Sequence, residues 1–167
     1  MNLYILRHGI AVEHGTPGCA KDADRPLTPE GESKLRLIAE AMQALELGFD
    51  LVLSSPYLRA RQTAEVVAEV LDLRKKIDFS DSLVPGGSTH QLVELLNRLK
   101  PAPESVLLVG HEPYLSGLVS LLVAGKEGFC VVFKKGGLCK LSIDSLKHGR
   151  CAVLAWLLTP KQMELMA

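Results

Sequence analysis

Three short runs constrain this chain more than anything else in it. Leu3–Leu6 (LYIL), Leu51–Leu53 (LVL) and Ser105–Val109 (SVLLV) are apolar almost without interruption. None shows the alternation of a strand with one wet face. A strand apolar on both sides must be covered on both sides, which is the habit of parallel sheets flanked by helices. The segments between the runs carry helical spacing. Thr28 is a fit N-cap, Pro29 suits the first helical position, and Leu35, Ile38, Ala39, Met42 and Leu45 share one face, with Gly48 as the expected stop. After Leu53 comes a second helix in YLRARQTAEVVAEVLDL, with Ala64, Val67, Ala68 and Leu71 inward. Ile77–Phe79 reads as a short edge strand, Thr89–Leu99 as a third helix and Tyr114–Val123 as a fourth. Leu138–Ile143 and Cys151–Leu158, either side of a His148-Gly149 turn, read as a closing hairpin.

Strands alternating with helices predict an α/β fold: a three-layer α/β/α sandwich with a mostly parallel central sheet. The chain has 167 residues, 47% of them hydrophobic, enough for one core. No linker, repeat or long insertion interrupts it, so residues 1–167 read as a single domain without a large cap. Formal net charge is zero, from 19 basic and 19 acidic residues. That provides no general footprint for nucleic acid or an anionic membrane. Cys19, Cys130, Cys139 and Cys151 lack CxxC spacing, which argues against a zinc or dithiol site. They read as reduced, mostly buried thiols. The sequence opens on a strand with no basic-then-apolar leader, and no apolar run is long enough for a bilayer; the expectation is a cytoplasmic protein.

In open α/β sheets ligands bind beyond the carboxyl ends of the strands. There the chain places Arg7-His8-Gly9, Ser54-Ser55-Pro56 followed by Arg59 and Arg61, and Gly110-His111-Glu112-Pro113. A single Arg-His pair at a strand end is commonly a solvated terminus. Two histidines and several arginines converging on one sheet edge indicate an anion site. Arginine's planar fork matches phosphate oxygens, and helix N-termini add N–H groups. Neutral histidine can attack phosphorus. Gly9, lacking Cβ, would let substrate approach. Arg61 lies about 200° around the helix from Arg59, so it reads as a surface residue pairing with Glu65.

LRHG, SSPYLRARQTA and VGHEP, in that order, resemble the histidine phosphatase superfamily, which has the phosphoglycerate mutase-like fold. RPLTPEG, LVPGGS, FKKG and the compact length resemble its SixA-type branch of phosphohistidine phosphatases. The resemblance implies that His8 is the nucleophile, that Arg7 and Arg59 clamp the phosphoryl group, and that His111 stabilises the transition state. Arg25 in DRPLTPEG would stand at the mouth of the site. No cofactor or metal is implied. A mutase-like general acid has no counterpart: the region after the second helix holds Asp78 and Asp81 but no glutamate. Glu112, directly after the second histidine, is an alternative acid or a helix cap. Lys134-Lys135 reads as a solvated pair bordering the site.

A phosphoramidate needs a leaving-group acid less than an alkyl phosphate does. The expected substrate is therefore phosphohistidine on a protein, a phosphotransfer domain or phosphocarrier, acted on by a monomer. A phosphatase of small phosphomonoesters is the alternative, and a silent phosphate-binding module the third reading.

Overall fold

A computed structural model of the chain describes residues 1–126, 128 and 130–167. Six strands form one sheet: β1 (Asn2–Arg7), β2 (Leu51–Ser54), β3 (Ile77–Phe79), β4 (Ser105–Gly110), β5 (Leu138–Ile143) and β6 (Ala152–Leu158). Their spatial order is β3-β2-β4-β1-β5-β6. The first four are mutually parallel, and β5 and β6 close the sheet as an antiparallel hairpin beside β1. The helices are α1 (Pro29–Ala44), α2 (Leu58–Val70), α3 (Thr89–Arg98), α4 (Tyr114–Ala124) and α5 (Pro160–Glu164).

The uninterrupted apolar strands are explained by two cores, one on each face. Leu3 and Ile5 of β1, Leu53 of β2 and Val106 and Leu108 of β4 pack with Leu92 and Leu96 of α3 and Leu115, Leu118 and Leu122 of α4. The alternate residues Tyr4, Leu6, Val52, Leu107 and Val109 pack with Leu35, Ile38 and Met42 of α1 and Ala60, Ala64 and Val67 of α2. Period-two geometry sends neighbouring apolar side chains to opposite faces, and both faces are dry. The expected three layers are present, and among the described residues the further helical elements are three-residue 3-10 turns, one of them, Asp22–Asp24, in the connection between β1 and α1.

Thr28 caps α1 as its sequence suggests, with Oγ1 accepting from Gly31 N at 3.0 Å. Leu71, at the end of α2, is half-buried and packs against the core as expected. Three expectations need correction. Leu45 is exposed, and the chain leaves α1 there, with Glu46 taking the left-handed turn (φ 54°) expected near Gly48. The tail beyond β6 forms α5, whose Thr159–Gln162 capping box was not anticipated, and Met163 plugs it into the α1 side of the core. The four thiols are free, but only Cys139 is buried; burial pushes its pKa up to about 12. No described helix is long and apolar enough to cross a membrane.

Candidate active site

Register carries the site. β4 lies between β1 and β2, and Arg7 stands opposite Gly110 while Ser54 stands opposite Val109. The ladder extends one residue further, with His8 N donating to Gly110 O and Ser55 N to Val109 O. Three adjacent parallel strands thus end level, and Arg7-His8, Ser54-Ser55 and Gly110-His111 emerge together. The rings of His8 and His111 lie 5.0 Å apart, centroid to centroid.

His8 is buried, and its Nδ1–H donates to Gly9 O at 2.7 Å. A carbonyl only accepts, so the proton belongs on Nδ1 and the lone pair on Nε2. Arg59 Nε donates to that Nε2 at 3.3 Å. Burial, followed by His111 and the nearby cations, drives the His8 pKa down to about 3, despite the Gly9 carbonyl acting the other way. The imidazole is therefore neutral across the ordinary pH range. His111 is likewise lowered to about 3, first by burial and then by Arg59. Its Nε2 lies 2.8 Å from Ser55 Oγ, and its ring meets that of Tyr57 in a T-shaped contact.

Arg7 Nη1 donates to Phe133 O at 2.6 Å, and burial lowers its pKa, with Glu112 opposing. Two buried polar atoms here have no partner among the described groups: Arg7 Nε and His111 Nδ1. Orphaned buried donors are costly. A bound oxyanion would satisfy both.

Arg59 is buried at the start of α2, while Arg61 faces outward, pairs with Glu65 at 2.8 Å and lies over Phe79. The two arginines thus lie on opposite sides of α2, as their spacing predicts. Thr63, one turn on, accepts from Gly9 N and donates to Arg59 O, tying α2 to the end of β1.

Asp22 is the residue the sequence reading missed. It sits in a short 3-10 turn, Asp22–Asp24, within the connection between β1 and α1. That connection folds back on itself through an Ala11–Leu27 bridge. Arg59 Nη1 donates to the Asp22 main-chain oxygen at 2.7 Å and Nη2 to Asp22 Oδ2 at 2.9 Å. Arg25 donates to Asp22 Oδ1 at 2.7 Å and to Val12 O. Arg25 thus meets the site through Asp22. Partial burial raises the Asp22 pKa, but the two arginine hydrogen bonds outweigh it and hold the carboxyl below its usual range. Its only sequence signal is the Asp22/Arg25 spacing. Ser55 and Thr63 were also missed as partners, since hydroxyls inside SSP and RQTA carry no periodicity.

Gly9 is placed differently from expectation. A Cβ there would meet Leu35 Cδ1 at 2.5 Å and Leu27 Cδ2 at 3.2 Å. The missing side chain admits α1, so the expectation that it makes room for substrate is corrected. Glu112 accepts from Ser116 N at 2.9 Å and from Ser116 Oγ, holding the first turn of α4. Asp78 accepts from its neighbour Phe79 N and is exposed, as is Asp81.

A neutral imidazole with a directed lone pair, ringed by guanidinium groups and unsatisfied donors, can hold a tetrahedral oxyanion and attack its central atom. Comparison with known proteins agrees with that chemistry. The sequence pattern of the histidine phosphatase superfamily (branch 1) matches residues 3–83. The chain is 29% identical over 166 residues to the phosphohistidine phosphatase SixA of Escherichia coli strain K12, covering 99% of this chain and 98% of that protein. It is 31% identical to the SixA homologue of Haemophilus influenzae, over 73% of this chain and 77% of the homologue. A solved structure of the protein histidine phosphatase SixA complexed with tungstate superposes with a TM-score of 0.81 at 30% identity, covering 96% of this chain and 98% of the other. These likenesses, with the level strand ends and the paired histidines, make the chain a hydrolase of the histidine phosphatase superfamily, with a phosphoglycerate mutase-like fold, in its SixA-type branch.

Proposed function

We propose that the chain removes the phosphoryl group from phosphohistidine on a protein, without a metal, through a phospho-His8 intermediate. His8 Nε2 attacks phosphorus, and the bond from phosphorus to the substrate imidazole breaks. With its other ring nitrogen protonated, that imidazole departs neutral and needs no acid. Water then attacks phospho-His8, and its oxygen and both hydrogens leave as dihydrogen phosphate while His8 regains its lone pair. Arg7 and Arg59 hold the equatorial oxygens, Arg59 swinging its Nε from His8 to the phosphoryl group. His111 Nδ1, protonated when Nε2 accepts from Ser55, donates to the same oxygens. The tungstate named for the SixA structure is an oxyanion of the shape this site would hold.

One observation carries the choice of substrate: the state of the carboxyl groups near the site. Both oxygens of Glu112 are engaged by Ser116, and Asp22 is held ionised between Arg25 and Arg59. Glu112 is thus turned to its own helix, and the lowered Asp22 carboxyl keeps no proton to give. An alkoxide leaving group would need one, while a ring-protonated phosphohistidine does not. Glu112 is then a helix-capping residue, and Arg25 a residue that positions Asp22.

The test is phosphate release from a phosphohistidine-bearing protein beside a panel of small phosphomonoesters, with chelator present. Fast release from the protein and slow release from the panel is expected. The reverse, or loss of release with chelator, would refute the reading. His8→Ala should lower turnover by about three orders of magnitude or more while still binding tungstate; substantial turnover in that variant would exclude the covalent route.

A further inference from the structure

Beside Arg7 opens a cleft of about 630 Å³ lined by Ile10, Lys34, Lys134, Lys135, Lys161 and Glu164 among others. Five cations, Arg7 included, face one carboxylate there, on a chain whose formal net charge is zero. The positive charge is therefore placed, not general. Elsewhere Arg36, Arg61, Arg74 and Arg98 each meet a glutamate. Among the described residues only Lys34 in the cleft does so, with Glu30 at 2.7 Å. Among the described residues no ion pair involves Lys134, Lys135 or Lys161.

The two loop lysines are also fastened to the reacting strand. Gly136 N donates to Arg7 O at 3.0 Å and lies 3.2 Å from His8 O, while Arg7 N donates to Gly137 O at 3.1 Å. Arg7 Nη1 reaches back to Phe133 O. Gly136 has φ 79°, and a Cβ there would meet Ile38 Cδ1 at 2.7 Å. The Lys134–Gly137 turn is thus pinned against the end of β1, so the backbone that bears its lysines keeps a fixed relation to His8. Lys161, on α5, also lines the cleft.

We propose that this cleft is the docking surface for an acidic face of the phosphohistidine-bearing protein. The proposal rests on the substrate reading above and names what the partner must carry: carboxylates flanking its phosphohistidine. Lysine ammonium groups on flexible stems suit long-range attraction and an adaptable fit. A few charges confined to one cleft match a few carboxylates on a protein face; a nucleic acid would need a continuous basic track.

The experiment compares kcat/KM for a phosphorylated histidine-phosphotransfer domain, acidic around its phosphohistidine, with kcat/KM for free phosphohistidine. Chemistry is common to both, so their ratio isolates docking. In Lys134→Glu/Lys135→Glu/Lys161→Glu the ratio should fall by about tenfold or more, through KM, and the salt dependence of the domain reaction should flatten. Neutralising the domain's acidic residues should do the same to the parent. The milder Lys135→Gln should fall part of the way. An unchanged ratio, or an equal fall in Lys75→Glu/Lys147→Glu, would overturn the docking surface while leaving the phosphohistidine activity standing. Anionic vesicles or duplex DNA binding the cleft, with no salt dependence in the domain reaction, would overturn it too. Failure of the parent on both phosphohistidine substrates, with small esters hydrolysed, would overturn the substrate reading as well.

Discussion

Two buried imidazoles kept neutral should leave a measurable mark on stability. His8 and His111 have pKa values of about 3 in the folded chain, against about 6.5 for a histidine in an unfolded one. Between those values the unfolded chain binds a proton at each position and the folded chain does not. Stability therefore rises with pH across that window; it is fully present above about pH 6.5 and is lost as pH falls toward 3. Within about pH 4 to 6 each histidine contributes a slope of about 1.4 kcal/mol per pH unit, the pair about 2.7. The slope depends only on both folded values lying below the window. The assay is urea unfolding of the parent, His8→Asn, His111→Asn and the double variant at pH 4, 5, 6 and 7. All the other ionisable groups are common to the four proteins, so the difference between curves isolates the pair. Each substitution should remove one unit of slope, giving a double variant about 5 kcal/mol less acid-sensitive between pH 4 and 6. Parallel curves would refute the reasoning, because the histidines would then titrate alike folded and unfolded.

The shared carboxylate of Asp22 sits where it would oppose an incoming anion, so Asp22→Asn should tighten tungstate binding by calorimetry, by about three- to tenfold; weaker binding would mean Asp22 chiefly holds Arg59 in place. Gly9→Ala drives a Cβ into Leu35, which is fully buried, and should cost about 1–3 kcal/mol in chemical denaturation, with oxyanion affinity of the folded protein unchanged. Thr159→Ala removes the α5 capping box and should cost about 1 kcal/mol, seen as a lowered Tm; no change would mean that packing of Met163 alone holds α5.

The sequence by itself determined the layers and the edge at which chemistry occurs. Unbroken apolar strands require helices on both faces, and a parallel sheet delivers its strand ends to one side. Arg7, His8, Arg59 and His111 could be gathered in thought because each follows directly from a strand or from the first turn of the next helix. Arg61 could be set apart because helical angles are fixed by the backbone. What only the tertiary structure decided lies in contacts between segments remote in sequence. Asp22 reaches Arg59 because the β1–α1 connection folds back on itself, and nothing periodic in it announces that. Gly9 is a glycine on account of Leu35, on a helix more than twenty residues later. Glu112 is engaged by the first turn of α4, a matter of side-chain direction that spacing left open. Lys134 and Lys135 read as a solvated pair and are exposed, but only packing pins the turn that bears them to Arg7 and His8, and Lys161 arrived from a helix the pattern did not foretell. Local periodicity records which face a residue turns to the core. Charge gathered from three distant segments is recorded only in how those segments pack.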